Sequence, residues 1–404
     1  MSSLAQPLTP ETAAIPSPSE LIARARAMIP ALAERGERQD QACRILDETM
    51  ADLHDAGLFR ILQPRQWGGY ELGPETFYAV QMALAEGDVS TAWVYGILSV
   101  HSFHLALFDP RAAADVWGAN ERALIASPYA PGSAVPDSDG YRLTGHWRFS
   151  SGCEHSDWIF LGGVIDRGVP ITNFHEADYR TFLLPRGDFE IVRTWRATGL
   201  KGTGSHDIVV DGAYVPEHRT HRMADAAAGT NPGLGPDNPL YRYPYWQVFL
   251  RSVSTAAIGG LQGMVDAFIR YGSARTGSSG VPTAADPDAA LALAEAVAAI
   301  AEMKGTLERN FARMAEGVAG GEPLSEHERR LFKFQAAMVP QRCLDLASRL
   351  FAASGGTGVF ASQPFGRFYN DLMVMGNHFA NQYRPVGRKW GEAMMGLPNH
   401  DPVL

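Results

Sequence analysis

Three histidines and a pair of serines are the residues of this chain best suited to chemistry. His101 and His104 stand three apart in LSVHSFHLALF, a stretch with helical spacing, so they share a helix face. Imidazole titrates near pH ~6.5, which makes either ring a general base near neutrality. A single histidine on a partly apolar helix face is, however, usually a satisfied core residue. His378 lies in GNHFANQY, where a helix surface or a subunit contact is the plainer reading. Ser150 and Ser151 end a β-type run in FSSGCEHSDW. Their hydroxyls either cap a turn before Gly152 or face a ligand. Trp147 and Phe149, just before them, read first as β packing, though either could border a bound ring. Thr203, Gly204 and Ser205 sit in GLKGTGSHDIVV, where glycine permits close backbone approach. Arg242, Tyr243 and Trp246, beside a Pro/Gly-rich loop, are candidates for a substrate mouth.

Missing motifs narrow the chemistry. The glycines at 199, 202 and 204 have the wrong spacing for a dinucleotide fingerprint, and no phosphate-binding P-loop is present. Neither a G-x-S-x-G elbow nor an H-E-x-x-H pair occurs. Cys43, Cys153 and Cys343 are odd in number and far apart, which argues against a disulfide framework and a zinc site. No metal is expected, and a reducing, cytoplasmic setting is. A net charge of −9 argues against nucleic acid and against an anionic membrane surface. The first residues lack a basic segment followed by an apolar one, and no run of ~18 apolar residues appears, so neither a signal peptide nor a membrane span is expected.

The elements that must position these residues fall into three regions. Residues 1–17 read as a loose arm rich in Pro, Ser and Thr. Residues 18–120 carry helical periodicity, with Ser17 or Ser19 as a first cap and Gly57 as a helix stop. Residues 121–228 hold short β-type runs punctuated by Gly, Pro and Asp. Six to eight strands without intervening helices predict an antiparallel barrel or sandwich. Residues 229–404 predict four long helices over 245–271, 288–319, 325–354 and 365–394, the third with Pro340 inside it, and together they read as a bundle. The fold class is α+β, mostly α.

That order of regions resembles the acyl-CoA dehydrogenase superfamily. The residues resemble one branch of it, the oxygenase components of two-component flavin-dependent aromatic monooxygenases of the p-hydroxyphenylacetate hydroxylase kind. LHDAGLFRILQPRQWGG (53–69), STAWVYGILSVHSFHLALF (90–108), GHWRFSSGCEHSDW (145–158), GLKGTGSHDIVVDGAYVPEHR (199–219) and FGRFYNDLMVMGNHFANQY (365–383) carry the resemblance. It spans most of the chain.

The resemblance implies an enzyme that takes reduced FMN (FMNH2) or FADH2 from a separate NAD(P)H:flavin reductase. With O2 as co-substrate, a C4a-hydroperoxide forms and hydroxylates a small phenolic or aromatic substrate. It implies that Ser151 sits beside flavin N5, that His101 faces the phenol as its base, and that His378 lies near the flavin's oxygen adduct. It places Ser150, Trp147, Thr203, Gly204 and Ser205 among the cofactor contacts, and His104 and Ser127 beside the substrate, where the loop reading above also puts Trp246. SGGTGVF (354–360) resembles a segment that reaches a cofactor across a subunit interface, and a homotetramer is implied. Two departures concern the substrate. Ala380 stands where the p-hydroxyphenylacetate enzyme has a tyrosine. Ala126 stands where it has a serine, which leaves Ser127 as the nearby hydroxyl. Oxygenation at nitrogen or sulfur is the first alternative. An acyl-CoA dehydrogenase proper needs a carboxylate base, and FYNDLMVMGNHFANQY holds no glutamate. A flavin-binding scaffold without activity is the last.

Overall fold

The computed structural model describes residues 14–168, 177–233, 239–277, 280, 282–398, 401 and 403–404. The arm expected at the N-terminus therefore lies, up to residue 13, outside the described residues. Helix α1 (Pro18–Ala27) starts where the Ser17 hydroxyl accepts the Glu20 N–H, with Pro18 in the first turn, where a missing N–H costs no hydrogen bond. There follow α2 (Ile29–Ala42), α3 (Asp47–Asp55), α4 (Pro74–Gly87), α5 (Val89–Leu105) and α6 (Pro110–Trp117). Gly57, in the left-handed region at φ 73°, ends the α3 segment as expected.

Helix α5 is the axis of the molecule. All 17 of its residues are buried, which is why its sequence shows no polar stripe. The Asp88 carboxylate caps it by accepting the Thr91 N–H. Trp93, Ile97, His101 and His104 follow one another on a single face at intervals of four, four and three.

Eight strands follow: β1 (Ile125–Ala126), β2 (Gly132–Asp137), β3 (Gly140–Ser150), β4 (Trp158–Ile165), β5 (Tyr179–Pro185), β6 (Glu190–Val192), β7 (His206–Pro216) and β8 (Thr220–Arg222). They form one sheet in the order β6-β7-β3-β2-β4-β5-β8, with β1 added on β4. The expected sheet was wholly antiparallel, and here the structure differs. β4 runs parallel to both β1 and β2. After the β2–β3 hairpin the chain crosses to the far side of β2 and runs back alongside it. Turn signals locate such a crossing but do not say on which side the next strand pairs.

The C-terminal helices are α7 (Met223–Ala228), α8 (Tyr245–Ser252), α9 (Ala256–Ala274), α10 (Pro287–Val318), α11 (Glu326–Ala353), α12 (Gly355–Gly358), α13 (Phe365–Met375) and α14 (Tyr383–Met394). Ser325 and Glu328 close a capping box at the start of α11. Helices α9, α10, α11 and α13 pack as a bundle, and α4 and α5 lie against it. Two of the four expected helices are broken. The segment 245–271 is interrupted at Val253–Thr255, and 365–394 is interrupted between Met375 and Tyr383. One side chain joins the two breaks: Asn381 Nδ2 donates to Val253 O (2.7 Å) and to Met375 O (2.9 Å). A buried amide that satisfies carbonyls freed at both breaks makes them a designed junction. Among the described residues, no helix is long and apolar enough to cross a membrane.

Candidate active site

The sheet, α5, α8 and the α13–α14 junction enclose a cavity of about 920 Å³ with mostly apolar walls. That is large for a small-molecule site and fits two planar ring systems together. Its walls include Trp93 and Ile97 of α5, Ser127 and Tyr129 after β1, Phe149 and Ser151 at the end of β3, Ser205 before β7, Trp246 and Phe249 of α8, and His378 at the junction.

A β-bulge aims the serines. The β3–β7 register slips between Trp147 and Ser150, and inside that slip Phe149 adopts φ 70°, a left-handed conformation rare for a bulky residue. Phe149 is 59 % exposed and lies on the cavity wall. Gly152, next in line at φ 69°, lets the end of β3 touch α5. A Cβ there would stand 2.9 Å from Val94 Cγ1.

The hydroxyls behind the wall form a chain with a defined direction. Thr203 Oγ1 donates to Leu200 O (2.8 Å), so its oxygen accepts from Ser205 at 2.7 Å. Ser205 must then accept from Ser151, also at 2.7 Å. Ser151 thus spends its only proton on Ser205, while one of its lone pairs takes the Trp93 indole N–H at 3.0 Å. The remaining lone pair belongs to a residue on the cavity wall. Ser151 is therefore presented as an acceptor, the role that a ligand N–H requires. The loop that carries this chain is anchored by Asp371, whose carboxylate accepts the Leu200 N–H at 2.6 Å. Burial raises the Asp371 carboxyl well above its ordinary range, with Asp88 adding to the effect. Leu200 (φ 49°) and Gly204 (φ 53°) supply the tight backbone.

His378 caps the short turn between α13 and α14, where its Nδ1 accepts the Ala380 N–H at 3.3 Å. Burial lowers its pKa to about 4, so the ring is neutral, and a neutral ring that accepts at Nδ1 carries its proton on Nε2. His378 is thus an N–H donor on the wall. Burial is the cause of that shift, with no acidic neighbour opposing it among the described residues. Arg148, also on the wall, stacks over Phe149 at 4.9 Å and makes no ion pair among the described residues, so it is free to meet an anionic group.

The site residues expected from sequence separate into two groups. Ser151, Ser205, Ser127, Trp246 and His378 are on one cavity wall. Thr203 and Gly204 stand directly behind it. Ser150 and Trp147 are buried off the wall. Trp147 donates to Ala130 O and Gly162 O, and its ring fills the space over Gly132 and Gly145. His101 and His104 are also set back. They continue the Trp93–Ile97 face past the end of the cavity, behind Tyr129. His101 Nδ1 bonds Ile125 O at 2.7 Å, its Nε2 has no partner among the described residues, and burial lowers its pKa to about 4. Arg242 and Tyr243 do not reach the wall, while Trp246 does. The sequence reading missed Trp93, Tyr129 and Phe249, and it read Phe149 first as β packing with a ligand contact as the second reading. Trp93 was legible in principle, since it lies eight residues before His101 on the same face.

Known proteins resemble this chain over most of its length. Residues 252–383 match the family described as acyl-CoA dehydrogenase, C-terminal domain. The flavin-dependent monooxygenase oxygenase subunit HsaA of Rhodococcus jostii is 34% identical over 94% of this chain and 100% of its own length. The oxygenase component of an FADH2-dependent resorcinol hydroxylase from a Rhizobium species is 29% identical over 93% of this chain and 94% of its own. The crystal structure of 3-HSA hydroxylase from a Rhodococcus species superposes with a TM-score of 0.90 at 33% identity, covering 95% of this chain and 99% of that one.

Proposed function

The chain belongs to the oxygenase subunits of flavin-dependent monooxygenases, which are built on the acyl-CoA dehydrogenase fold, and from that footing we propose that it hydroxylates a phenolic substrate with reduced flavin supplied by a separate reductase. The observation that carries this reading is the directed chain Ser151–Ser205–Thr203–Leu200, which presents an acceptor oxygen to a large, mostly apolar cavity.

The residues present fit a reduced flavin. Ser151 would accept the N5–H, His378 Nε2–H would donate to the ring's polar edge, and Arg148 would meet the phosphate. When bound, the flavin activates O2 and supplies the oxygen atom that the substrate receives. The protein's part is to orient and to exclude water. Trp93, Ile97, Phe249 and Trp246 wall the cavity with apolar surface, so polar contacts inside it are stronger than in water. Ser151 keeps a proton in place by giving it an acceptor. Ser127 is the hydroxyl available to a substrate's polar group. His101, neutral and with an unpartnered Nε2, remains a base candidate only if the wall at Tyr129 yields to substrate.

We place the protein in the cytoplasm, in line with its three free cysteines. We further propose a homotetramer. Val359, Phe360, Met395 and Leu397 are each more than half exposed, apolar side chains that assembly would cover.

The test combines the purified chain, an NAD(P)H:flavin reductase, FMN or FAD and a panel of phenols under ¹⁸O₂. A product one oxygen heavier and carrying the label is expected. No labelled product from any phenol, with turnover of an acyl-CoA in the presence of an electron acceptor, would refute the reading.

A further inference from the structure

The expected base, His101, is off the cavity wall, and the structure supplies another route for a proton. Tyr129 stands on the wall. Its hydroxyl meets His104 Nδ1 at 2.9 Å and the Tyr245 hydroxyl at 2.9 Å. His104 Nε2 meets His221 Nδ1 at 3.1 Å, and His221 Nε2 meets Asn231 Oδ1 at 2.9 Å. His104 is fully buried, His221 is 1 % exposed, and Asn231 is partly exposed. The chain therefore runs from the cavity to the surface through the interior.

Its direction follows from the outer end. The Asn231 carbonyl oxygen can only accept, so His221 carries its proton on Nε2 and accepts on Nδ1. His104 then carries its proton on Nε2 and accepts on Nδ1. Tyr129 must donate to His104 and accept from Tyr245. That leaves one lone pair on the Tyr129 oxygen unused. Nothing on this path is ionised at rest. Burial lowers His221 to about 4 and His104 well below its ordinary value, and raises Tyr129 well above its own. The neighbours that face the path are His101 and Tyr179, both neutral, and Asp225, whose charge favours the protonated form of His221.

We propose that Tyr129, His104 and His221 form a proton relay that takes the proton of the substrate's phenolic hydroxyl to solvent at Asn231 and returns one afterwards. The inference rests on the phenol hydroxylase reading above. Outward, the Tyr129 oxygen gains the phenol's proton as it gives its own to His104 Nδ1. His104 Nε2–H passes to His221 Nδ1, and His221 Nε2–H leaves to water beside Asn231. The substrate becomes a phenolate, with its electron pair available to the ortho carbon. After oxygen transfer the ring rearomatises. The ortho carbon loses its hydrogen as a proton, which neutralises the base left when the oxygen atom was transferred, and the ring oxygen regains one along the same path in reverse. Over a cycle the relay carries no net charge. Tyr129 is then a catalytic residue, and His104 and His221 act through it.

The test compares wild type, Tyr129→Phe and His221→Gln in the reductase-coupled assay on phenols that are neutral and phenols that are ionised at the assay pH. On neutral phenols both variants are expected to lose on the order of 10²-fold in kcat with KM nearly unchanged, the usual worth of general-base help. On ionised phenols, and on neutral ones as pH is raised through their own pKa, the loss is expected to vanish. Equal loss on both classes, or no loss, overturns the proposal. ¹⁵N NMR of the unliganded wild type reads the relay without turnover. His104 and His221 should both carry their protons on Nε2, and a proton on His104 Nδ1 overturns the assignment. If Tyr129→Phe does not fold, His221→Gln and the NMR decide. A wild type inert towards every phenol yet showing both Nε2 tautomers overturns the functional reading, and the relay's role falls with it.

Discussion

Replacing Ser151 by alanine separates the two jobs that the structure gives its hydroxyl. One is structural. The Trp93 indole N–H loses its acceptor in a buried setting, which costs about 1–3 kcal/mol of stability. The other concerns the ligand. The free lone pair of Ser151 holds one ligand hydrogen bond, worth about 1 kcal/mol net, and that corresponds to roughly a fivefold change in a rate or an equilibrium. In the coupled assay with saturating phenol, Ser151→Ala is therefore expected to release several-fold more hydrogen peroxide per NADH consumed, since a less firmly held proton leaves sooner. Ser205→Ala is the informative companion. It leaves Ser151 in place but removes the acceptor for its proton, so the Ser151 hydrogen can swing into the cavity and the oxygen becomes a poorer acceptor. Its leak should lie between wild type and Ser151→Ala, with the Trp93 contact intact and a smaller loss in thermal midpoint. The reasoning is refuted if Ser151→Ala unfolds more readily but leaks no more peroxide than wild type. The hydroxyl would then be a packing element alone.

Other consequences are as specific. Asp371→Ala removes the acceptor of the Leu200 N–H and should cost about 1–3 kcal/mol and weaken flavin binding, whereas Asp371→Asn keeps an acceptor and sheds a desolvated carboxyl, so its urea midpoint should match or exceed wild type. Trp147→Phe leaves the buried Gly162 carbonyl and the Ala130 carbonyl short of a donor and should lower the thermal midpoint while leaving flavin affinity unchanged by fluorescence titration, because the ring is off the wall. The pH dependence has a definite sign. His101 and His221 have folded pKa values of about 4, below the ordinary value, so the unfolded chain binds more protons between about pH 6.5 and 4. Stability present above that window is lost as pH falls through it, by roughly 2 kcal/mol per ring at pH 5. Asp40, raised to about 6, and Asp371, also raised, act in the opposite sense and offset part of the loss. Urea midpoints at pH 7 and pH 5 check the balance, and equal midpoints would mean the rings are not held neutral.

What the sequence alone determined is local. Ser17 announces a helix start because a cap needs only residues three apart. Gly57 announces a stop, and the change from helical to β-type texture near residue 121 is a change of period. The site was legible where a residue's job depends on its own segment, as for Ser151 at a strand end beside glycine. Resemblance then supplied the chemistry.

What only the tertiary structure decided depends on two segments meeting. The helix breaks at Val253 and Gly376 are stabilised by Asn381, which bridges both, so neither break shows in its own stretch of sequence. The proton of Ser151 points at Ser205 because Thr203 is already committed to Leu200, a choice spread over three residues brought together by a bulge and a tight loop. His101 and His104 carry helical spacing that marks a face, but spacing does not say how far along that face the cavity extends. It ends at Tyr129, because residues 125–129 cross α5 there, and the two rings that looked like a site became the wall's backing.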